Sequence, residues 1–287
     1  MAVWRRVILA GAGIEAFLLA LFAVAPLGGV TQTISPLARA WPWLLWPART
    51  VFGAALVDAS VTPSQGWPQL ALFATLLVGA ICAWGLAVWR AWEARAVETP
   101  PKGVPPPSLP SQAPRTTAGG VRWGLWLALG GAAVMGVTLA LLPSLPSDDV
   151  FSYILYGRIS ALHHANPLIA TPADFPRDPF LSLVYWQTTR SVYGPVWLGL
   201  SDVVARLAAA LGGGLAAYVA LFKLVGLLAH LVNVALVWAI LGRIAPERRL
   251  AGALFYGWSP LCLLEFSASA HNDAVMLLLL LLGVYAI

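Results

Sequence analysis

Two adjacent carboxylates, Asp148 and Asp149, lie in the run Pro146-Ser147-Asp148-Asp149-Val150-Phe151-Ser152-Tyr153, just past the strongly apolar stretch from Val121 to Leu142. A carboxylate at a membrane boundary can act as general base, taking the proton of an acceptor hydroxyl as its oxygen attacks an electrophile. Asp148 and Asp149 are therefore the catalytic candidates. The plainer role for two acids in a first helical turn is to complement the helix dipole, and spacing alone leaves both open. If Ser147 caps a helix that starts at Asp148, then Asp148, Ser152 and Tyr156 share one face and Asp149 stands beside Tyr153.

Other polar groups follow in the same region. Arg158 and Arg190 suit a phosphate, because a guanidinium holds phosphate oxygens bidentately. The runs His163-His164-Ala165-Asn166-Pro167 and Ser191-Val192-Tyr193-Gly194-Pro195 add hydrogen-bonding groups and rigid turns. Lys223 falls inside an apolar run, where a charge is expensive and needs a partner, a function or a route to the interface. Ser269-Ala270-His271-Asn272-Asp273 follows Glu265 by about two turns and precedes the apolar run Val275 to Leu282. A loop returning His271 and Asp273 to the surface of Asp148 and Asp149 would close one polar pocket, whereas capping of the next helix by Asp273 is the simple alternative. The histidines lack the C-x-x-C or H-E-x-x-H company of a metal site. The aspartate pair has the chemistry to hold a divalent cation, yet no ligand set accompanies it, so no metal or other cofactor is assigned.

These groups need elements to position them, and composition names the kind. Hydrophobic residues make up 60% of the 287, charged residues 10%, and mean hydropathy is +0.79, outside the range of soluble domains. A helix needs about 20 apolar residues to cross a bilayer. Candidate spans run from Val7 to Leu27, Trp67 to Trp89, Trp123 to Leu142 and Leu215 to Leu241, with two more at Leu250 to Phe266 and Ala274 to Ile287. The runs are long and uninterrupted where a barrel strand would alternate. The fold class is therefore an all-α polytopic membrane bundle of about six spans. Arg5 and Arg6 precede the first span as in a secretory leader, but the run is too long for one and reads as a retained anchor.

Positive loops stay cytoplasmic. That rule places inside the N-terminus with Arg5 and Arg6, the loop with Arg90, Arg95, Lys102, Arg115 and Arg122, and the turn with Arg243, Arg248 and Arg249. The regions Gly28 to Gly66 and Pro143 to Pro195 then face outward, the second being the long external loop. Consistency requires that Val196 to Leu211 not cross. It pairs Asp202 with Arg206 four residues on, and reads as an interfacial or re-entrant helix ended by Gly212-Gly213-Gly214. Three regions result: residues 1–98 with two spans and an external loop, a proline-rich cytoplasmic linker at 99–120, and the motif-bearing core at 121–287. The net charge of +5 comes from residues spread over cytoplasmic loops, which suits anionic membrane lipids and gives no patch for nucleic acid. Cys82 and Cys262 sit in apolar runs as small core residues. The sequence stops at Ile287 inside an apolar run, the pattern of a fragment.

Five short motifs in this order carry a resemblance: Ser147-Asp148-Asp149-Val150-Phe151-Ser152-Tyr153, Gly157-Arg158, Asn166-Pro167, Tyr193-Gly194-Pro195 and His271-Asn272-Asp273-Ala274. The chain resembles the GT-C superfamily of membrane glycosyltransferases, most of all the polyprenyl-phosphate-mannose-dependent α-(1→6)-mannosyltransferases. The resemblance spans roughly Val121 to Ile287, with Val192 where the family often has proline. It implies transfer of a hexose, mannose first, from a polyprenyl-phosphate sugar to a glycan or glycolipid acceptor at the outer face of the plasma membrane, with inversion. Asp148 or Asp149 would deprotonate or orient the acceptor, and Arg158, Arg190 and Lys223 would meet the leaving phosphate. His271 and Asp273 would position sugar or acceptor, and Tyr153, Asn166, Tyr193 and Asn272 belong to the same implied substrate site. A lipid donor accords with a chain that has no Gly-x-Gly-x-x-Gly or P-loop. A transporter or a non-catalytic membrane scaffold is the competing reading; a transporter should show an internal repeat, and none is evident.

Overall fold

In the computed structural model the described residues are 2–25, 33–53, 63–96 and 118–287. The chain opens with helix α1 (Ala2–Ala20), then strand β1 (Thr33–Ile34) and the short helices α2 (Pro36–Ala40) and α3 (Trp46–Phe52). The long helices α4 (Pro63–Ala96) and α5 (Ala118–Ala140) follow, then strand β2 (Ser144–Leu145). The core continues with α6 (Asp149–Ala161), α7 (Pro195–Ala210) and α8 (Leu215–Ile244). It ends with α9 (Arg249–Gly257), α10 (Pro260–Leu263), a π-helical turn at Leu264–Ala268 and α11 (Asp273–Ala286). The proline-rich linker, 99–120, lies outside the described residues, except that its last three positions open α5.

Among the described residues, four helices are long and apolar enough to cross a membrane: Trp4–Ala23, Trp67–Glu93, Arg122–Ala140 and Leu215–Ile244. The architecture is the expected all-α membrane bundle, but with four spans, or five if the bent pair Pro260–Ala268 and Asp273–Ala286 is one, rather than about six. The correction falls on Leu250 to Phe266. Proline lacks an N–H and pushes its predecessor out of the helical region. The chain therefore breaks before Pro260, where Ser259 Oγ accepts from the Cys262 N–H at 3.4 Å and starts a new helix. That helix widens into the π-turn and meets α11 at a bend of 115°. The first span likewise continues beyond α1 only as a 3-10 turn, Leu21–Ala23.

Small residues let these helices approach, as expected where packing rather than water drives association. Trp258, 1% exposed, seats its indole against Gly11 of α1 and Gly131 of α5 and donates from Nε1 to the Ala128 carbonyl at 3.0 Å. Some polar groups at membrane depth find partners across helices. Thr138 Oγ1 donates to Glu15 Oε1, and Asn233 Nδ2 donates to Tyr256 Oη at 3.0 Å and to the Ala274 carbonyl at 2.9 Å. At one end of the bundle Arg248 lies over Trp92, Arg249 over Trp238 and Arg243 over Tyr285, the cation–aromatic seating that suits a headgroup layer. Strands β1 and β2 pair antiparallel, Thr33 opposite Leu145 and Ile34 opposite Ser144, which ties the segment after α1 to the threshold of Asp148.

Candidate active site

Just past that ribbon, Ser147 Oγ accepts from the Asp149 N–H at 3.2 Å, and α6 begins at Asp149, one residue later than the sequence reading. Asp148 is the exposed N-cap residue, and Asp149 presents its carboxylate, 47% exposed, from the first turn. Helix α6 lies hard against α7: a Cβ on Gly157 would run into the carbonyl of Ser201, so glycine permits the approach. The two helices run parallel, with Tyr153 meeting Trp197 (ring centroids 5.0 Å apart), Gly157 meeting Ser201, and Ser160 Oγ donating to Asp202 Oδ1 at 2.7 Å. Their N-termini therefore share one end. The Tyr193 ring packs edge-on against Tyr153 at 5.0 Å, placing the Tyr-Gly-Pro turn beside the Asp-Asp turn.

A third segment completes the cluster. The π-turn is accommodated against α8 by Gly226, whose Cβ would collide with the Phe266 carbonyl. It then reverses through Ala270, a non-glycine residue at φ 61°. This turn delivers His271 so that Nδ1 meets Glu265 Oε2 at 2.5 Å and Nε2 faces Asp149 Oδ2 at 3.5 Å. The second approach is within ion-pair reach but lacks hydrogen-bond geometry, so Nε2 is a buried ring nitrogen with no hydrogen-bond partner. Next in the chain, Asn272 Oδ1 accepts from Tyr153 Oη at 3.4 Å, and Asp273 opens α11. Burial, then the charges of Tyr193 and Asp149, push the Tyr153 phenol well above its ordinary range. Burial, then the nearby Asp149 charge, push Tyr193 up to about 12. Both phenols therefore remain protonated donors at working pH.

Asp149, Tyr153, Tyr193, His271, Asn272 and Asp273 are thus brought to one place. Glu265, which orients His271, was placed beside it by sequence but given no part in the site. A carboxylate on one imidazole nitrogen fixes the tautomer and direction of the other, so Glu265 belongs to the site. Its only prior signal was proximity in sequence, and a regular helix would have aimed it differently from a π-turn.

The basic residues separate. Arg158, expected at a phosphate, is buried and engaged: Nε donates to both Asp178 oxygens at 3.2 and 2.9 Å, and Nη1 to Tyr218 Oη at 2.7 Å. His163 Nε2 lies 2.8 Å from the same carboxylate, and the Phe180 N–H donates to it at 3.0 Å. Burial alone would raise the Asp178 carboxyl, but the bonds from His163, Phe180 and Arg158 outweigh it and hold Asp178 below the usual carboxylate range. Lys223, 1% exposed, donates from Nζ to the Ala140 carbonyl at 2.8 Å and so complements the C-terminus of α5; it neither reaches the aspartates nor snorkels. Arg190 remains exposed on the strand of loop fixed where Tyr156 Oη donates to the Thr189 carbonyl at 2.9 Å and the Ser191 N–H donates to the Pro167 carbonyl at 2.9 Å. Asn166 Oδ1 accepts from the Leu168 N–H at 2.9 Å and shapes a local turn of the loop. Among the described residues no three His, Cys, Asp or Glu side chains are grouped to hold a metal ion.

Chemically, the cluster offers acceptors at Asp149 and Asp273, a directed imidazole nitrogen, and phenol donors at one mouth. No curated protein and no solved structure matches the chain. The N-terminal domain of the alpha-(1->6)-mannopyranosyltransferases does match, over residues 12–287, nearly the whole chain and all five motifs. On that match, and with an acid-and-imidazole site at the end of a membrane bundle, the chain belongs to the MptA_B family of alpha-(1->6)-mannopyranosyltransferases and is a glycosyltransferase.

Proposed function

We propose that the chain transfers mannose from a polyprenyl-phosphate sugar to a glycan or glycolipid acceptor at the outer face of the plasma membrane. The observation that carries this reading is the meeting of Asp149, Tyr193 and His271, from segments far apart in sequence, at the shared end of α6 and α7. An acceptor hydroxyl seated at Asp149 gives up its proton as its oxygen attacks the anomeric carbon. The bond from that carbon to the phosphate oxygen breaks with inversion, its electron pair leaving on polyprenyl phosphate. Asp148, next in line, assists in orienting the acceptor. The Tyr193 phenol donates to a sugar oxygen, Tyr153 holds the Asn272 amide through its own O–H, Asn272 and Asp273 position the sugar, and exposed Arg190 meets the leaving phosphate. Arg158 and Lys223 are not offered for that task, because their donors are engaged elsewhere. The positive-inside rule supports an outward-facing site with the Arg243 to Arg249 turn inside.

Membranes expressing the full reading frame, given labelled polyprenyl-phosphate mannose or GDP-mannose, test this. Transfer from the lipid donor alone, lost in Asp149→Asn and reduced in Asp148→Asn, is the expected result. Well-expressed chain that transfers nothing from the mannosyl lipid would rule out that donor.

A further inference from the structure

Beyond the reaction centre, an open groove of about 590 Å³ runs along α7, within the ~300–1,000 Å³ of ligand clefts. Pro195, Leu198, Gly199 and Asp202 form one wall, the i, i+3, i+4, i+7 face of α7, and Ser160, His164, Asn166 and Leu168 form the other. Because α6 and α7 are parallel, the Pro195 end adjoins Tyr193 and hence the Asp149 cluster. The Asp202 end lies roughly 10 Å farther along the helix at 1.5 Å per residue.

Three features give the groove a ligand chemistry. Its one carboxylate is locally neutralised: Asp202 accepts from Arg206 Nε at 2.7 Å and from Ser160, so the groove does not select for charge. Its polar groups are small and mixed: Asn166 spends its oxygen on the Leu168 N–H, and the His164 ring lies within electrostatic reach of Asp202. His164 on the groove wall holds φ 53°, a left-handed conformation that glycine adopts at lower cost. Gly199 leaves the α7 wall open, since a Cβ there would meet nothing within 4 Å.

We infer that this groove binds a neutral oligosaccharide, the acceptor sugars beyond the one that reacts at Asp149. The inference rests on the mannosyl-transfer reading above. A polyprenyl chain is the less suited occupant, because Asp202, Ser160, Asn166 and His164 would face hydrocarbon.

The test compares an α-(1→6)-linked mannose disaccharide with the hexasaccharide, using the full chain in detergent. Binding is read by saturation-transfer NMR and transfer by kcat/KM. The wild type should bind and use the hexasaccharide about tenfold better, the worth of one or two hydrogen bonds. Gly199→Trp, whose Cβ would meet nothing within 4 Å and whose ring would occupy the groove, should erase that preference. His164→Gly relieves the strained backbone yet removes the ring; it should melt no lower than wild type and still lose hexasaccharide affinity. No hexasaccharide binding by the wild type, an unchanged preference in both variants, or an effect of Gly199→Trp on the KM of the lipid donor instead would overturn the inference. Binding without transfer in the wild type would sink the mannosyl-transfer reading while leaving the groove in place.

Discussion

Two carboxylate–histidine clusters sit at the first and last turns of α6 and are built for opposite ends. In one, Asp178 is fully buried and receives Arg158, His163 and a backbone N–H, each within 3.2 Å. In the other, Asp149 is 47% exposed, His271 stands 3.5 Å away, and its Nε2 has no hydrogen-bond partner. The first is saturated and pins the long loop to α6 and α8; the second keeps capacity in reserve. A polar cluster whose groups all have partners is a fastening, whereas one with a directed, unfilled nitrogen beside a solvated acid is open to a substrate.

Breaking the saturated cluster should have the largest effect. Asp178→Ala leaves Arg158 buried and unpaired, and should cost about 3–5 kcal/mol, read as a lower melting temperature and poor yield. The same contact carries a pH signature. Asp178 has its folded pKa depressed, so its contribution is present above the unfolded value near ~3.9 and is lost as pH falls through the lower folded value. Acid melting of the wild type should steepen in that window, and Asp178→Asn should remove the step. If it persists, the loop is held elsewhere.

Asp149→Asn sharpens the contrast from the other side. Transfer should drop about 10²–10⁴-fold, while melting moves by less than about 0.5 kcal/mol because the residue is half-exposed. Glu265→Gln comes next: it keeps an acceptor for Nδ1 but removes the charge, and kcat should fall about tenfold or more with little change in stability. A loss of stability instead would make Glu265 a fastening too. Arg190→Ala should be mildest, raising the KM of the lipid donor about tenfold as one charge-assisted contact is lost. An unchanged donor KM would remove Arg190 from the phosphate.

Much of this was legible in the sequence, for identifiable reasons. Apolar run lengths gave the long spans, and the acid-rich, aromatic turns pointed to the residues that cluster at the end of α6, because both signals are local. Long-range pairings were not legible: nothing near Arg158 announces Asp178, twenty residues on in an irregular loop, and nothing near Lys223 announces the Ala140 carbonyl. The break at Ser259-Pro260 carried its own cap-and-proline signal, outweighed by the apolar residues around it. Glu265 was hidden by geometry, since only a π-turn followed by a left-handed Ala270 aims it at His271.

The two-residue ribbon between Thr33–Ile34 and Ser144–Leu145 has a genetic consequence. So short a pairing does not hold by itself; it persists because α1 packs on α4 and α5 and returns both edges to the same place. The doorstep of the aspartates is therefore joint property of two halves bound by noncovalent contact. Residues 1–98 and 118–287 expressed as separate polypeptides should co-purify and complement each other, whereas the second piece alone should yield an enzyme whose aspartates stand on an unsupported threshold.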